Sequence, residues 1–252
     1  MGTDMYVALS GALGRIRELE VLSNNLANAQ TVGFKRDRTS FVATLESALR
    51  TAGGESAPGA GGHVFTALDS ERFDPRAGAI EATGNRLDVA IDGPGYFSVQ
   101  TPEGIRYTRA GAFSIDGNRQ LVTSSGFPVL GEGGPIRVGR ADAEIRANGE
   151  VVLPSIDLES PPSVVGRLRI VEFDDPEVLV KQGASLLRAE DGVEPRAADE
   201  TRLAERSLER SNVDPVRELA ELVIVQRSFD MAMQMLQADD EASRRLIQEV
   251  SS

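Results

Sequence analysis

Apolar residues return in steps of four and three along residues 4–29. Met5, Leu9, Ala12, Ile16, Leu19 and Leu26 fall on one seam, with Ser23 as its polar member. That spacing predicts an amphipathic helix with a heptad-like stripe, which Leu13 and Leu22 widen. Gly11 and Gly14 lie inside it, each costing about 1 kcal/mol against alanine. Such a helix is marginal alone in water and needs partners. Its own domain would serve; so would other chains, with Ser10, Gly11 and Gly14 permitting close approach. A second seam follows Asp214 and Pro215, an N-cap residue and a first helical position that needs no N–H. Leu222, Val225, Phe229, Ala232 and Leu236 keep the four-three spacing. Asp239 and Ser243 interrupt it before Leu246 and Val250 resume, so this helix is expected to run to about residue 250.

Between the seams the period shortens to two. "YFSVQ" and "IRYTR" flank "TPEG", and "AFSI" and "RQLVT" flank "DGN", two hairpin signals. "GRLRIVEF" (166–173) alternates as a strand with one wet face does, and Pro161–Pro162 marks a break. In "IDGPGYF" the glycines suit a tight turn. Residues 51–62 are a Gly/Ala-rich flexible loop by composition, and 190–212 are charged and read as loosely structured. The expected fold class is α+β: N- and C-terminal long helices forming a coiled-coil-like α region, with a β-rich central domain. The expected boundaries are 1–40 for the first helix and its turn, 41–63 for a linker, 64–205 for the β domain and 206–252 for the second helix.

Composition narrows the function. The chain has 252 residues and a net charge of −12, which disfavours nucleic acid and anionic lipid as partners. The absence of cysteine rules out disulfides, thiolate nucleophiles and zinc–thiolate sites. The lysines are Lys35 and Lys181 in an otherwise Arg-based chain, which reads first as codon usage. No apolar run reaches membrane-spanning length, and "MGTDMYVALSGALG" has neither a basic nor an apolar leader region. No P-loop or dinucleotide fingerprint is present. The lone histidine, His63, stands in "GAGGHVF", a poor place for a preorganised triad. Glu71, Asp74, Asp88, Asp92, Asp174 and Asp175 could include a hydrolytic pair, but an acidic surface explains them equally. No catalytic residue, cofactor site or metal site is expected.

Three stretches carry a likeness. "ALSGALGRIRELEVLSNNLANAQTVGFKRDR" (8–38), "TGNRLDVAIDGPGYFSVQTPEGIRYTRAGAFSIDGNRQLVTSSGFPVLGEGGPI" (83–136) and "LERSNVDPVRELAELVIVQRSFDMAMQML" (208–236) resemble, in order, the N-terminal, central and C-terminal signatures of bacterial flagellar rod and hook proteins. Length, "GEGGPIRV" and "VGRLRIVEF" look most like the proximal rod type, with the distal rod type next and the hook type further off. The resemblance implies a structural axial component of the flagellar basal-body rod, polymerising through its terminal helices, transmitting torque and lining the export channel. It implies a periplasmic location reached through the flagellar type III export apparatus without a cleaved signal. The implied partners are copies of itself, other rod proteins and that apparatus, with no nucleic acid and no membrane insertion.

The expected subunit-contact residues are Leu9, Ile16, Leu19, Asn24, Asn25, Leu26, Asn28, Gly33, Phe34, Leu222, Val225, Phe229 and Leu236. Asn24 and Asn28 share a helix face, and amides of fixed direction can set register where an apolar seam would slide. Helix-end chemistry explains such asparagines as well. Gly33 permits a left-handed turn, after which Phe34 can pack back on the helix. Two other classes stay open at this level: a soluble carboxylate-based hydrolase, and a closed coiled-coil adaptor.

Overall fold

Helix α1 (Gly2–Ala27) and helix α2 (Pro215–Val250) bracket the chain in a computed structural model that describes residues 2–46, 63–140, 142–155, 161–183, 185–198 and 201–250. The chain divides into two units. The helix unit comprises Met1–Leu26, Asp37–Arg72 and Asp214–Ser252; the β unit comprises Ala27–Arg36 and Phe73–Val213.

In the helix unit, strands β1 (Asp37–Glu46) and β2 (His63–Phe73) form a two-stranded sheet. Residues 41–46, expected in a linker, are therefore strand; the β-branched and aromatic residues of "RTSFVATLE" suit that state. Residues 47–62 of that linker lie outside the described residues, and its last residue, His63, begins β2. Helix α2 starts where the capping chemistry requires. The Asp214 carboxylate accepts from the backbone N–H of Val216 at 3.0 Å and of Arg217 at 3.3 Å.

The β unit is built from short antiparallel strands. Strands β3 (Ile80–Ala82), β4 (Val89–Asp92), β5 (Tyr96–Thr101), β6 (Gly104–Thr108), β7 (Phe113–Ile115), β8 (Leu121–Thr123), β9 (Leu130–Gly131) and β10 (Gly134–Pro135) form its first half. Its second half holds β11 (Glu144–Ile145), β12 (Glu150–Leu153), β13 (Ser163–Arg167), β14 (Ile170–Glu172), β15 (Leu179–Lys181), β16 (Leu187–Ala189), β17 (Arg196–Ala197), β18 (Arg202–Glu205) and β19 (Ser207–Glu209). Six of them make one sheet in the order β15-β16-β6-β5-β14-β17. Both expected hairpins are present: β5 with β6 around Pro102–Glu103, and β7 with β8, where Asp116 accepts from the N–H of Asn118 and Gln120.

Strand β5 is covered on both faces. Phe97 and Val99 enter a core with Val89, Ile91, Phe113, Leu121, Val129 and Val151, while Tyr96 joins Phe73, Tyr107, Val171 and Phe173 on the other side. "GRLRIVEF" is not one strand. It splits into β13 and β14 because Leu168 turns into the first core, and the Leu168 and Arg169 N–H groups donate to Gly149 and Leu130 rather than continuing one ladder. Within the stretch read as loosely structured, residues 202–205 and 207–209 are strand: β18 pairs with β4 and β19 with β3, carrying Leu203 and Glu209 inside.

Candidate assembly site: a helix pair and a buried ion cluster

The two helices meet through polar groups. Asn25 is fully buried and uses its whole amide. Its Oδ1 accepts from Asp37 N at 2.8 Å, and its Nδ2 donates to Asp37 O at 3.0 Å and to Glu218 Oε2 of α2 at 3.2 Å. Glu218, in the first turn of α2, is also buried; a carboxylate there complements the helix dipole. Around this contact α1 buries Ala12 and Leu22, with Leu19 and Leu26 half-buried and Ile16 exposed. The inward stripe therefore runs through Leu22 and Asn25, because the Asn25 bonds to the Asp37 backbone fix which side of α1 faces in. On α2, Val225 is buried, and Leu222, Phe229 and Ala232 are half-buried, one stripe at the expected spacing. The side chains of Leu9 and Leu236 lie outside the described residues. Asn24 is exposed, and Asn28 accepts a hydrogen bond from the Thr31 hydroxyl at 3.1 Å.

A second apolar face on α2 was not singled out in the sequence. Ile224 (63 % exposed), Met231 (56 %) and Met235 (73 %) recur at helical spacing, and Val216, Leu219 and Val223 form a neighbouring stripe. On α1, Leu13 and Ile16 face solvent as well. The signal was the run "LVIV" (222–225): a helix apolar on more than one side has more than one surface to cover.

The β unit holds the other half of the two terminal signatures. Gly33 has φ 68°, and a Cβ there would stand 2.3 Å from Ala110 N, so only glycine fits. Its N–H donates to the Glu209 carbonyl at 2.8 Å. Phe34 is buried beneath the Lys181 ammonium, which sits 3.7 Å above its ring centroid. The ring belongs to the β unit, under the Lys181 ammonium. Lys35, 2 % exposed, donates to Glu209 Oε1 at 2.5 Å and to the Arg76 carbonyl at 2.8 Å. Glu209, fully buried, also accepts from Gly78 N at 2.9 Å and from Arg109 Nη1 at 3.3 Å. Arg109 donates further to Gly93 O and lies over the Tyr96 ring. Burial pushes the Lys35 ammonium below its ordinary range, with Glu209 pulling it back up and Arg109 adding to the fall. Neither Lys35 nor Glu209 stood out as a cluster in the sequence, since nothing local in either stretch marks the other as its partner 174 positions away.

Four of the carboxylates a hydrolase would need are engaged in structural contacts. Asp74 holds the Arg76 guanidinium, Asp88 accepts from Thr83 and Asn85, and Asp175 caps the short 3-10 turn Pro176–Val178. Asp174 faces Arg196 at 3.1 Å. Among the described residues, no three His, Cys, Asp or Glu side chains gather as a metal site would require.

Comparison with known proteins agrees with this arrangement. Residues 5–35 match the family model "Flagella basal body rod protein", residues 90–159 "Flagellar hook protein FlgE/F/G D1 domain", and residues 204–249 "Flagellar basal body rod FlgEFG protein C-terminal". FlgG of Bacillus subtilis is 34 % identical over 262 residues, covering 96 % of this chain and 97 % of the relative. FlgF of Caulobacter vibrioides and FlgF of Salmonella typhimurium are each 32 % identical, with 98 % of both chains covered. FlgF and FlgG relatives thus stand at similar identity, and the chain belongs to the flagellar basal-body rod protein family, as a structural component of the bacterial flagellum.

Proposed function

We propose that this chain is an axial subunit of the rod, of the proximal FlgF type, that polymerises through its terminal helices with copies of itself and other rod proteins. In this reading the subunit leaves the cytoplasm through the flagellar type III export apparatus, assembles in the periplasm, lines the export channel with its helices and passes torque along the stack. Head-to-tail contact between unlike surfaces builds a helical tube rather than a closed dimer. Stiffness comes from the two-core β unit; no catalysis is needed.

The observation that carries the reading is the apolar area α1 and α2 leave uncovered, because exposed apolar stripes of this extent mark interaction surfaces. Ile224, Met231 and Met235 of α2 and Leu13 and Ile16 of α1 supply the exposed apolar part of the contact, bordered by the half-buried Leu19, Leu26, Leu222 and Phe229, with Leu9 and Leu236 on the same helices. Asn24 and Asn28 supply polar contacts of fixed direction. Asn25, Gly33, Phe34 and Val225 act by holding the subunit in the shape that neighbours meet.

The test is Ile224→Asp and Met235→Asp, singly and together. The purified variants are expected to match the parent in circular dichroism and to lie within about 0.5 kcal/mol in stability, as surface changes do. Rod assembly and motility are expected to fail. Normal motility of the double variant would overturn assembly through this face.

A further inference from the structure

We propose that the buried ion cluster is an ordered clasp: the N-terminal segment 27–36 docks on the β unit only after the C-terminal strand β19 is in place. This inference concerns folding within one chain and stands apart from the assembly reading.

The contacts that hold segment 27–36 come mostly from one short stretch. Gly33 N donates to Glu209 O at 2.8 Å, Lys35 Nζ to Glu209 Oε1 at 2.5 Å, and Arg36 N to Asn212 Oδ1 at 2.7 Å. Asn212 N donates to Phe34 O at 3.4 Å. Contacts made elsewhere include Lys35 Nζ to Arg76 O, Asp74 N to Arg36 O, the Lys181 ammonium over Phe34, and the close approach of Gly33 to the Arg109–Ala110 backbone.

Charge makes the order one-way. Without Glu209, the place where Lys35 is buried would offer one carbonyl and a second buried cation, Arg109. Asp74 is the other carboxylate that acts on Lys35, and it is bound to the Arg76 guanidinium through both oxygens. An ammonium entering there would lose its hydration and meet like charge, which strongly disfavours entry. The reverse case differs. Without Lys35, Glu209 keeps the Gly78 N–H and the Arg109 guanidinium, and β19 keeps its ladder with β3. Strand β19 can therefore close first, and segment 27–36 cannot. Lys35 and Glu209 are 174 positions apart. A chain made from its N-terminus keeps 27–36 undocked until most of its length is present, and a chain cut short before β19 never docks it.

The experiment is hydrogen–deuterium exchange on the full-length protein and two variants, Glu209→Gln and Lys35→Met. In Glu209→Gln, amides of 27–36 should exchange at least about tenfold faster while those of 89–153 keep their protection. In Lys35→Met, 27–36 should loosen while 207–209 stays within about threefold of the parent. Three outcomes would overturn the clasp. If 27–36 stays protected in Glu209→Gln, docking does not depend on the carboxylate. Equal loss of 27–36 and 207–209 in Lys35→Met would make the closure mutual, without order. Loss of protection throughout 89–153 in Glu209→Gln would make the cluster part of the core rather than a separable latch.

Discussion

Phe97, Val89 and Leu121 are fully buried in the β unit, whereas the most deeply buried side chains described in the helix unit are Asn25 and Glu218, and Ile224 and Met235 face outward there. The β unit is stabilised by the transfer of apolar surface from water, which a single chain completes by itself. In the helix unit, hydrogen bonds of fixed geometry choose one helix pairing, and much of the apolar area is left over. One unit completes its apolar core within the single chain; the other holds its shape by polar contacts and leaves apolar surface exposed.

The largest effect that can sharpen this contrast is expected in the β core. Phe97 packs edge-to-face on Phe113 with ring centroids 5.2 Å apart, and it is fully buried. Phe97→Ala should destabilise the β unit by about 4 kcal/mol, seen as a lower urea midpoint for exchange of amides in 89–153. A loss below about 1 kcal/mol would mean that this core is not what holds the unit.

Asn25→Ala comes next. It removes three hydrogen bonds and leaves Asp37 N–H and the Glu218 carboxylate without that partner inside the unit. The expected loss is about 2 kcal/mol, confined to the helix unit. The Asp37 amide and the facing turns of α1 and α2 should exchange faster, with 89–153 unchanged. A matching loss in 89–153 would break the distinction between the units. Asp214→Ala should cost about 1 kcal/mol through loss of the N-cap, read as fraying of the first turn of α2 by exchange at Val216 and Arg217.

The features that could be read from the sequence are those whose chemistry is local. Asp214 caps the helix that Pro215 begins, the "DGN" turn brings β7 to β8, and the four-three spacing finds the inward stripe of α2. The stripe of α1 turned toward Leu22 and Asn25 because its direction is set by the Asp37 backbone, beyond the reach of periodicity. Glu209 was hidden for the same reason. In "AERSLERSN" nothing marks it off from Glu205 two turns of alternation earlier, and its burial follows only once β19 pairs with β3 and Leu208 faces Glu81. Lys35 and Lys181 carry compact ammonium groups to two separate contacts, one on Glu209 and one over the Phe34 ring, where the wider guanidinium fork is a different shape.

The smallest effects are expected from pH, and they test whether the buried cluster behaves as part of the β unit. The groups facing Lys35 are Glu209, Arg109 and Asp74, and burial sets its net shift downward from 10.5. Between the folded value and 10.5 the unfolded chain therefore binds more protons, so the contribution of Lys35 to stability rises as pH rises through that window. Tyr96 has the opposite sign. Burial raises its phenol above 10.0, opposed by Arg109 and reinforced by Glu209. The folded chain then holds the proton longer, and stability falls as pH climbs from 10.0 through the folded value. Tyr107 is raised by burial too and adds to that fall. Urea midpoints taken from about pH 8 to about pH 11 should separate these slopes. Lys35→Met should remove the rising part and leave the alkaline fall, while Tyr96→Phe should flatten the fall and leave the rise. If Lys35→Met instead steepened the rise, its ammonium would be held above its ordinary value, with attraction by Glu209 outweighing burial.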